Sequence, residues 1–281
     1  PRSLLRGCDA HTMIQFGELW PPHDFRILDI RDAWRRIRSR EMGNQQSFDF
    51  EVGEELPIAF NEHAERRECS LSAGWRLHAA TRKSTGERVS ALRFDKEAHG
   101  GAGGKDAPPP TAVLAAQRAF AQTRRLRHPC VLTWLDGAET DKEIVVITSE
   151  VMPLSEWLVS GAPGGLAPEP EQLAWGAHCA LRALEFLHGA GQSHGAICPS
   201  SWWVTPGGDW RLWGLELACA ASGGGPNDAE ALAFCRAHDA ALGERYRSPE
   251  RKSGSALPGD APPGVKGAGA SDMWALGQLL E

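Results

Sequence analysis

The chain has 281 residues, 42% of them hydrophobic and 23% charged, with a formal net charge of −6. That length allows one large domain or two lobes burying roughly 70% of the unfolded surface. No apolar run approaches the roughly 20 residues of a membrane-spanning helix, and the positive charges gather into no one long face, which gives no support to a nucleic-acid binder.

Residues 1–41 differ from the rest. Arg31, Arg35, Arg36, Arg38 and Arg40 surround apolar positions at partly helical spacing, the pattern of a targeting or membrane-surface helix, but Asp24, Asp29 and Asp32 oppose it. A disordered or non-native extension is expected there. Met42-Gly43-Asn44-Gln45-Gln46-Ser47 fits M-G-x-x-x-S, so Gly43 is a candidate for myristoylation if translation begins at Met42. One acyl chain would give only weak membrane association. The seven cysteines are scattered, odd in number and never in C-x-x-C spacing. That argues against a disulfide framework and against a zinc site.

Two strands around a turn are predicted next: Trp75–Thr81, the turn Ser84-Thr85-Gly86-Glu87, then Arg88–Leu92. Gly-rich residues 99–110 read as a loop, without the spacing of a phosphate cradle. A helix is predicted over Thr111–Leu126, ending in Leu126-Arg127-His128-Pro129-Cys130-Val131-Leu132. Strands are predicted at Val131–Leu135 and Glu143–Thr148, and a hinge at Ser149–Pro153. The strongest helix of the sequence follows at Gln172–His188, with Leu173, Ala177, Ala180, Leu181, Leu184 and Leu187 on one face.

Ser193–Ala218 reads as a strand, a Gly-Gly turn and a second strand hung on that helix. Cys219–Arg245 reads as a loop. Tyr246-Arg247-Ser248-Pro249-Glu250 and Ser271-Asp272-Met273-Trp274-Ala275-Leu276-Gly277 close the sequence pattern.

The order and spacing of these elements resemble a protein kinase. In that frame the residues that do chemistry are replaced. Ser70, Ser72 and Trp75 stand at the three glycines of the phosphate loop, with Gly74 one residue out of register, and Leu92 stands at the lysine of V-A-I-K. Ala119, nine residues before His128, takes the place of the glutamate that pairs with that lysine. In the H-R-D-x-x-x-x-N segment His194 remains, Gly195 and Ala196 replace Arg and Asp, and Ser201 replaces Asn. Gly214-Leu215-Glu216 stands at D-F-G. Pro249 and Glu250 match A-P-E. Asp272 matches the aspartate expected to accept backbone amides of the Gly195 turn, and His194 is expected to serve packing.

The resemblance implies an α+β, bilobal protein-kinase-like fold: a small lobe over 42–150, with an antiparallel sheet and one helix, and a mainly helical large lobe over 151–281. That large lobe is expected to be incomplete. Ala119, L-R-H-P, W-x-D-G at Trp134–Gly137, V-x-P-L at Val151–Leu154 and the Gly-Leu-Glu triplet are similar to the SCYL family of pseudokinases. That likeness implies a catalytically inactive scaffold without catalytic, cofactor-binding or metal-binding residues and with weak or absent ATP binding. It also implies protein partners, among them vesicle-coat components, and a cytoplasmic, Golgi-associated location. The alternative is an ATP-binding or weakly active unconventional serine/threonine kinase using displaced charges such as Arg76 or Glu216.

Overall fold

The computed structural model describes residues 49–56, 69–72, 74–99, 110–160, 168–220, 226–254 and 269–281. Residues 1–41 and Gly43, with the extension and lipidation expected of them, lie outside the described residues.

Five strands pair antiparallel in the order β1-β2-β3-β5-β4: β1 (Phe50–Glu55), β2 (Trp75–Arg82), β3 (Arg88–Asp95), β4 (Asp136–Glu139) and β5 (Glu143–Ser149). The turn at Gly86, with φ of 73°, joins β2 to β3 and sets the register Leu77 opposite Leu92. β3 is central, so Val89 through Leu92 and Phe94 are all buried, as expected of a strand flanked on both sides. Helix α1 (Thr111–Arg125) covers the sheet through Val113, Ala116 and Ala119, which share one apolar cluster with Leu92, Phe94, Ile144 and Val146. The small alanines let the helix approach closely. Gly74 lets the backbone before β2 lie against β3, because a Cβ there would stand 2.3 Å from the Phe94 ring.

The strand expected at Val131–Leu135 is not a ladder strand. Val131 makes only an isolated parallel bridge to Leu212, the Leu132 N–H donates to Leu212 O at 2.9 Å, and Leu212 N–H donates to Cys130 O at 2.8 Å. These backbone groups are spent on the hairpin of the second half, and the sheet takes up β4 five residues later.

β6 (Met152–Pro153) joins a three-stranded sheet with β8 (Trp202–Val204) and β9 (Trp210–Leu212), while β7 (Gln192–Ser193) pairs with β10 (Cys219–Ala220). Helix α2 (Leu154–Ser160) follows β6. Helix α3 (Pro170–Gly189) begins with Pro170 in its first turn and a capping box between Glu169 and Gln172, both N-terminal signals. Its Cys179, Ala180, Ala183, Leu184 and Leu187 enter the larger core cluster. Gly176 lies against the Trp210 indole, where a Cβ would stand 2.1 Å from a ring carbon. Gly176→Ala is therefore expected to destabilise by about 1–3 kcal/mol through overpacking, read as a lower urea midpoint at unchanged m-value.

The loop expected over Cys219–Arg245 contains helix α4 (Pro226–Ala237). Pro226 suits the first turn of a helix, and Ala231, Leu232, Phe234 and Cys235 dock on the larger core. One turn, α5 (Pro249–Lys252), and α6 (Ala270–Leu280) complete the described chain.

Candidate functional site

The site to be tested is the cleft where the phosphate loop, the β3 lysine position and the loop after β9 would meet. Leu92 and Ala119 are both fully buried in one apolar cluster. Neither brings charge. Trp75, at the third glycine position, stands edge-on to Trp213, with centroids 5.2 Å apart and planes at 84°, and tilts against Phe94 at 5.6 Å. Trp213 directly precedes Gly214. These indoles join Leu77, Leu92, Val151 and Trp203 in a continuous cluster in which Trp75, Trp203 and Trp213 are 3%, 3% and 1% exposed. The core of the sheet thus runs on into the hairpin.

The hinge backbone is occupied as well. Val151 N–H donates to Ser90 Oγ at 3.0 Å, and the same hydroxyl donates to Val151 O at 3.3 Å. Arg76 does not enter the cleft. It lies opposite Arg93 across β2 and β3, one residue out of phase with Leu77 and Leu92, and pairs with Glu55 at 3.8 Å while Arg93 pairs with Glu143 at 2.6 Å.

In the catalytic-loop frame, His194 is fully buried; its Nδ1 accepts the Ala196 N–H at 3.2 Å and its Nε2 donates to Trp213 O at 2.9 Å. Burial lowers its pKa, which suits a neutral ring carrying the proton on Nε2. Asp272 accepts from His194 N at 2.7 Å and Gly195 N at 2.8 Å, and meets His188 Nε2 at 3.0 Å. Burial by itself would raise the Asp272 carboxyl, but the hydrogen bonds from His188 and from the His194 amide hold it below the ordinary carboxylate range. Gly195 has φ of 79°, and a Cβ there would lie 2.8 Å from Leu217 O, so a side chain is doubly disfavoured. Ala196 is buried with no side chain to accept a proton.

Ser201 Oγ donates to Cys198 O at 2.7 Å and accepts Cys198 N–H at 3.1 Å, which commits the hydroxyl to its own turn. Gly214 adopts φ of 81° and contributes no ligand. Glu216 is fully buried: Ser72 Oγ donates to its Oε1 at 3.2 Å, its Oε2 has no hydrogen-bond partner among the described residues, and burial pushes its pKa up to about 7. Magnesium with a nucleotide needs ionised oxygen ligands beside a cation on the phosphates. The residues present do not fit that group, and among the described residues no three metal-ligating side chains cluster.

Pro249 and Glu250, the A-P-E match, have exposed side chains. The buried residue of that turn is Arg251. Ser248 caps α5 by accepting Arg251 N–H, and the turn aims the Arg251 guanidinium inward, where Nη1 donates to Gly195 O at 3.0 Å and Nε to Asp239 at 2.7 Å. A second arginine, Arg118 on α1, donates to Glu216 O at 2.8 Å and Ala218 O at 3.1 Å and lies 4.8 Å over the Phe234 ring. Sequence reasoning named neither arginine for these roles, nor Ser90, His188, Trp203 or Trp213. The one available signal was the composition, 11 tryptophans against a single tyrosine.

No family model matches the chain. A protein of Dictyostelium discoideum described as a probable inactive serine/threonine-protein kinase scy1 is 29% identical over 179 residues, 63% of this chain and 19% of that protein. SCY1-like protein 2 of Mus musculus is 23% identical over 262 residues, 87% of this chain and 26% of that protein. The mouse protein-associating with the carboxyl-terminal domain of ezrin is 33% identical over 103 residues, 36% of this chain and 13% of that protein. The matched regions thus span about a quarter or less of these relatives.

Proposed function

We propose, from the premise that the chain is a homologue of SCY1-like pseudokinases with a kinase-like fold, that this domain transfers no phosphate and works as a protein-interaction module. The observation that carries this reading is the apolar filling of the cleft by Trp75, Leu92, Trp203 and Trp213. Phosphoryl transfer depends on positioning and on charge stabilisation by metal ions and a lysine, with a carboxylate to orient the nucleophile. Ala196, Gly214 and Leu92 supply none of these. A nucleotide would also have to displace packed indoles and break the Ser90–Val151 hydrogen bonds before meeting a polar partner.

A role through protein partners is supported by the relative named for associating with the carboxyl-terminal domain of ezrin. By the family likeness, we place the work of the domain in vesicle traffic, with coat components among its partners, at the cytoplasmic side of the Golgi.

Thermal unfolding in ATP or ADP, with and without magnesium, is the direct test. A ligand at 100 times its Kd would add about 2.7 kcal/mol, a shift of roughly 5–11 °C for a domain of this size. The expected result is no shift in any arm. A magnesium-dependent rise accompanied by phosphate incorporation would reverse the reading in favour of an active kinase.

A further inference from the structure

We infer that the cavity between α2, α3 and the β8–β9 turn is a docking site for an arginine- or lysine-bearing extended segment of a partner protein. This rests on the interaction-module reading and names the chemistry of the partner. The cavity encloses about 250 Å³ and is lined chiefly by Trp157, Glu171, Trp175, Pro206, Gly207 and Gly208. That volume accommodates one long side chain rather than a folded element.

The indole of Trp157 is buried, whereas that of Trp175 is 49% exposed. An indole face attracts a cation and packs along its aliphatic stem. Most polar groups around the cavity are already committed. Trp175 Nε1 donates to Asp209 Oδ1 at 2.9 Å, Arg211 holds the other Asp209 oxygen at 2.9 Å, and the Gln172 side-chain oxygen accepts Glu169 N–H at 2.9 Å. The Glu171 carboxylate is different: it is exposed and has no partner among the described residues. Two indoles and one unpaired carboxylate suit a guanidinium or ammonium on an apolar stem and would repel an acidic segment.

The turn leaves room for the backbone of such a segment. A Cβ at Gly208 would meet nothing within 4 Å, and one at Gly207 only Thr205 Oγ1 at 3.8 Å. The net charge of −6 also draws a basic partner.

The test uses fluorescein-labelled (Pro-Pro-Arg)3, whose extended form is preorganised, titrated with the 281-residue chain in fluorescence anisotropy. Wild type is expected to bind at about 10–100 μM, a modest affinity for a one-pocket contact. Glu171→Lys and Trp175→Ala should each weaken binding at least roughly tenfold, whereas Glu51→Lys, the same charge change on exposed β1, should change it less than about twofold. (Pro-Pro-Glu)3 should not bind. No binding by wild type at 1 mM peptide, equal losses in all three variants, or equal binding of the acidic peptide would each overturn the proposal. Those failures would leave the silent cleft standing, since only the nucleotide titration speaks to that.

Discussion

Leu92→Lys is expected to destabilise the domain by roughly 3–5 kcal/mol, the scale of a buried charge without its partner, and to create no nucleotide site. Leu92 is fully buried among Leu77, Phe94, Trp75 and Trp213, with no anion in that cluster. An ammonium there must either shed its proton or open the packing. Ala119→Glu meets the same difficulty from α1, also at a fully buried position. The informative measurement is the double-mutant cycle by urea unfolding. Installed together, the two charges can pair, so the double variant should lose at least about 1 kcal/mol less than the two single losses added. Strict additivity would show that α1 and β3 no longer hold these positions within reach of each other. A stable Leu92→Lys with a magnesium-dependent ATP shift would show instead that the cleft is open and that its apolar filling is incidental.

Glu216→Gln is expected to stabilise the domain, and to do so only above mildly acidic pH. The native carboxyl has its pKa pushed up to about 7 by burial, against a reference value of 4.5. Between those values the native state keeps a proton that the unfolded chain has released, so stability falls as pH rises through the window and the full penalty is present above about pH 7. The difference of roughly 2.5 units corresponds to about 3 kcal/mol. Glutamine removes the titration and keeps the shape. The variant and wild type should therefore unfold at similar denaturant concentrations near pH 4.5 and diverge progressively up to pH 8, with the variant the more stable. Asp272 acts in the opposite sense, because its lowered pKa removes stability as pH falls, but it is common to both proteins and cancels in their difference. A constant gap across the range would mean that the Glu216 carboxyl ionises normally inside the fold.

The frame of the site was legible because it depends on short-range signals. Gly86 needs a positive φ for its turn, Gly195 needs one beside Leu217 O, and both stand where spacing placed them. The strands β2 and β3 were legible from their apolar residues on either side of the Gly86 turn. Helix α4 was missed because its apolar residues form only a weak stripe, and docking on the larger core contributes what periodicity does not. The buried arginines were missed for a related reason. An arginine in a sequence reads as solvated, and nothing local reveals that Arg118 will find Glu216 O and Ala218 O about 100 residues away, or that Arg251 will find Gly195 O.

The amino-acid sequence by itself determined which chemical groups are absent, since no arrangement of the chain can make a lysine of Leu92, a carboxylate of Ala196 or a metal ligand of Gly214. It also determined, through local propensity and periodicity, β2, β3, β5 and the helices α1 and α3. Only the tertiary structure decided what fills the space those groups vacated. Trp75, Trp203 and Trp213 come from three separate segments, and whether their indoles point to solvent or to one another depends on long-range packing. Burial of large apolar surfaces is non-directional and leaves no mark in local spacing.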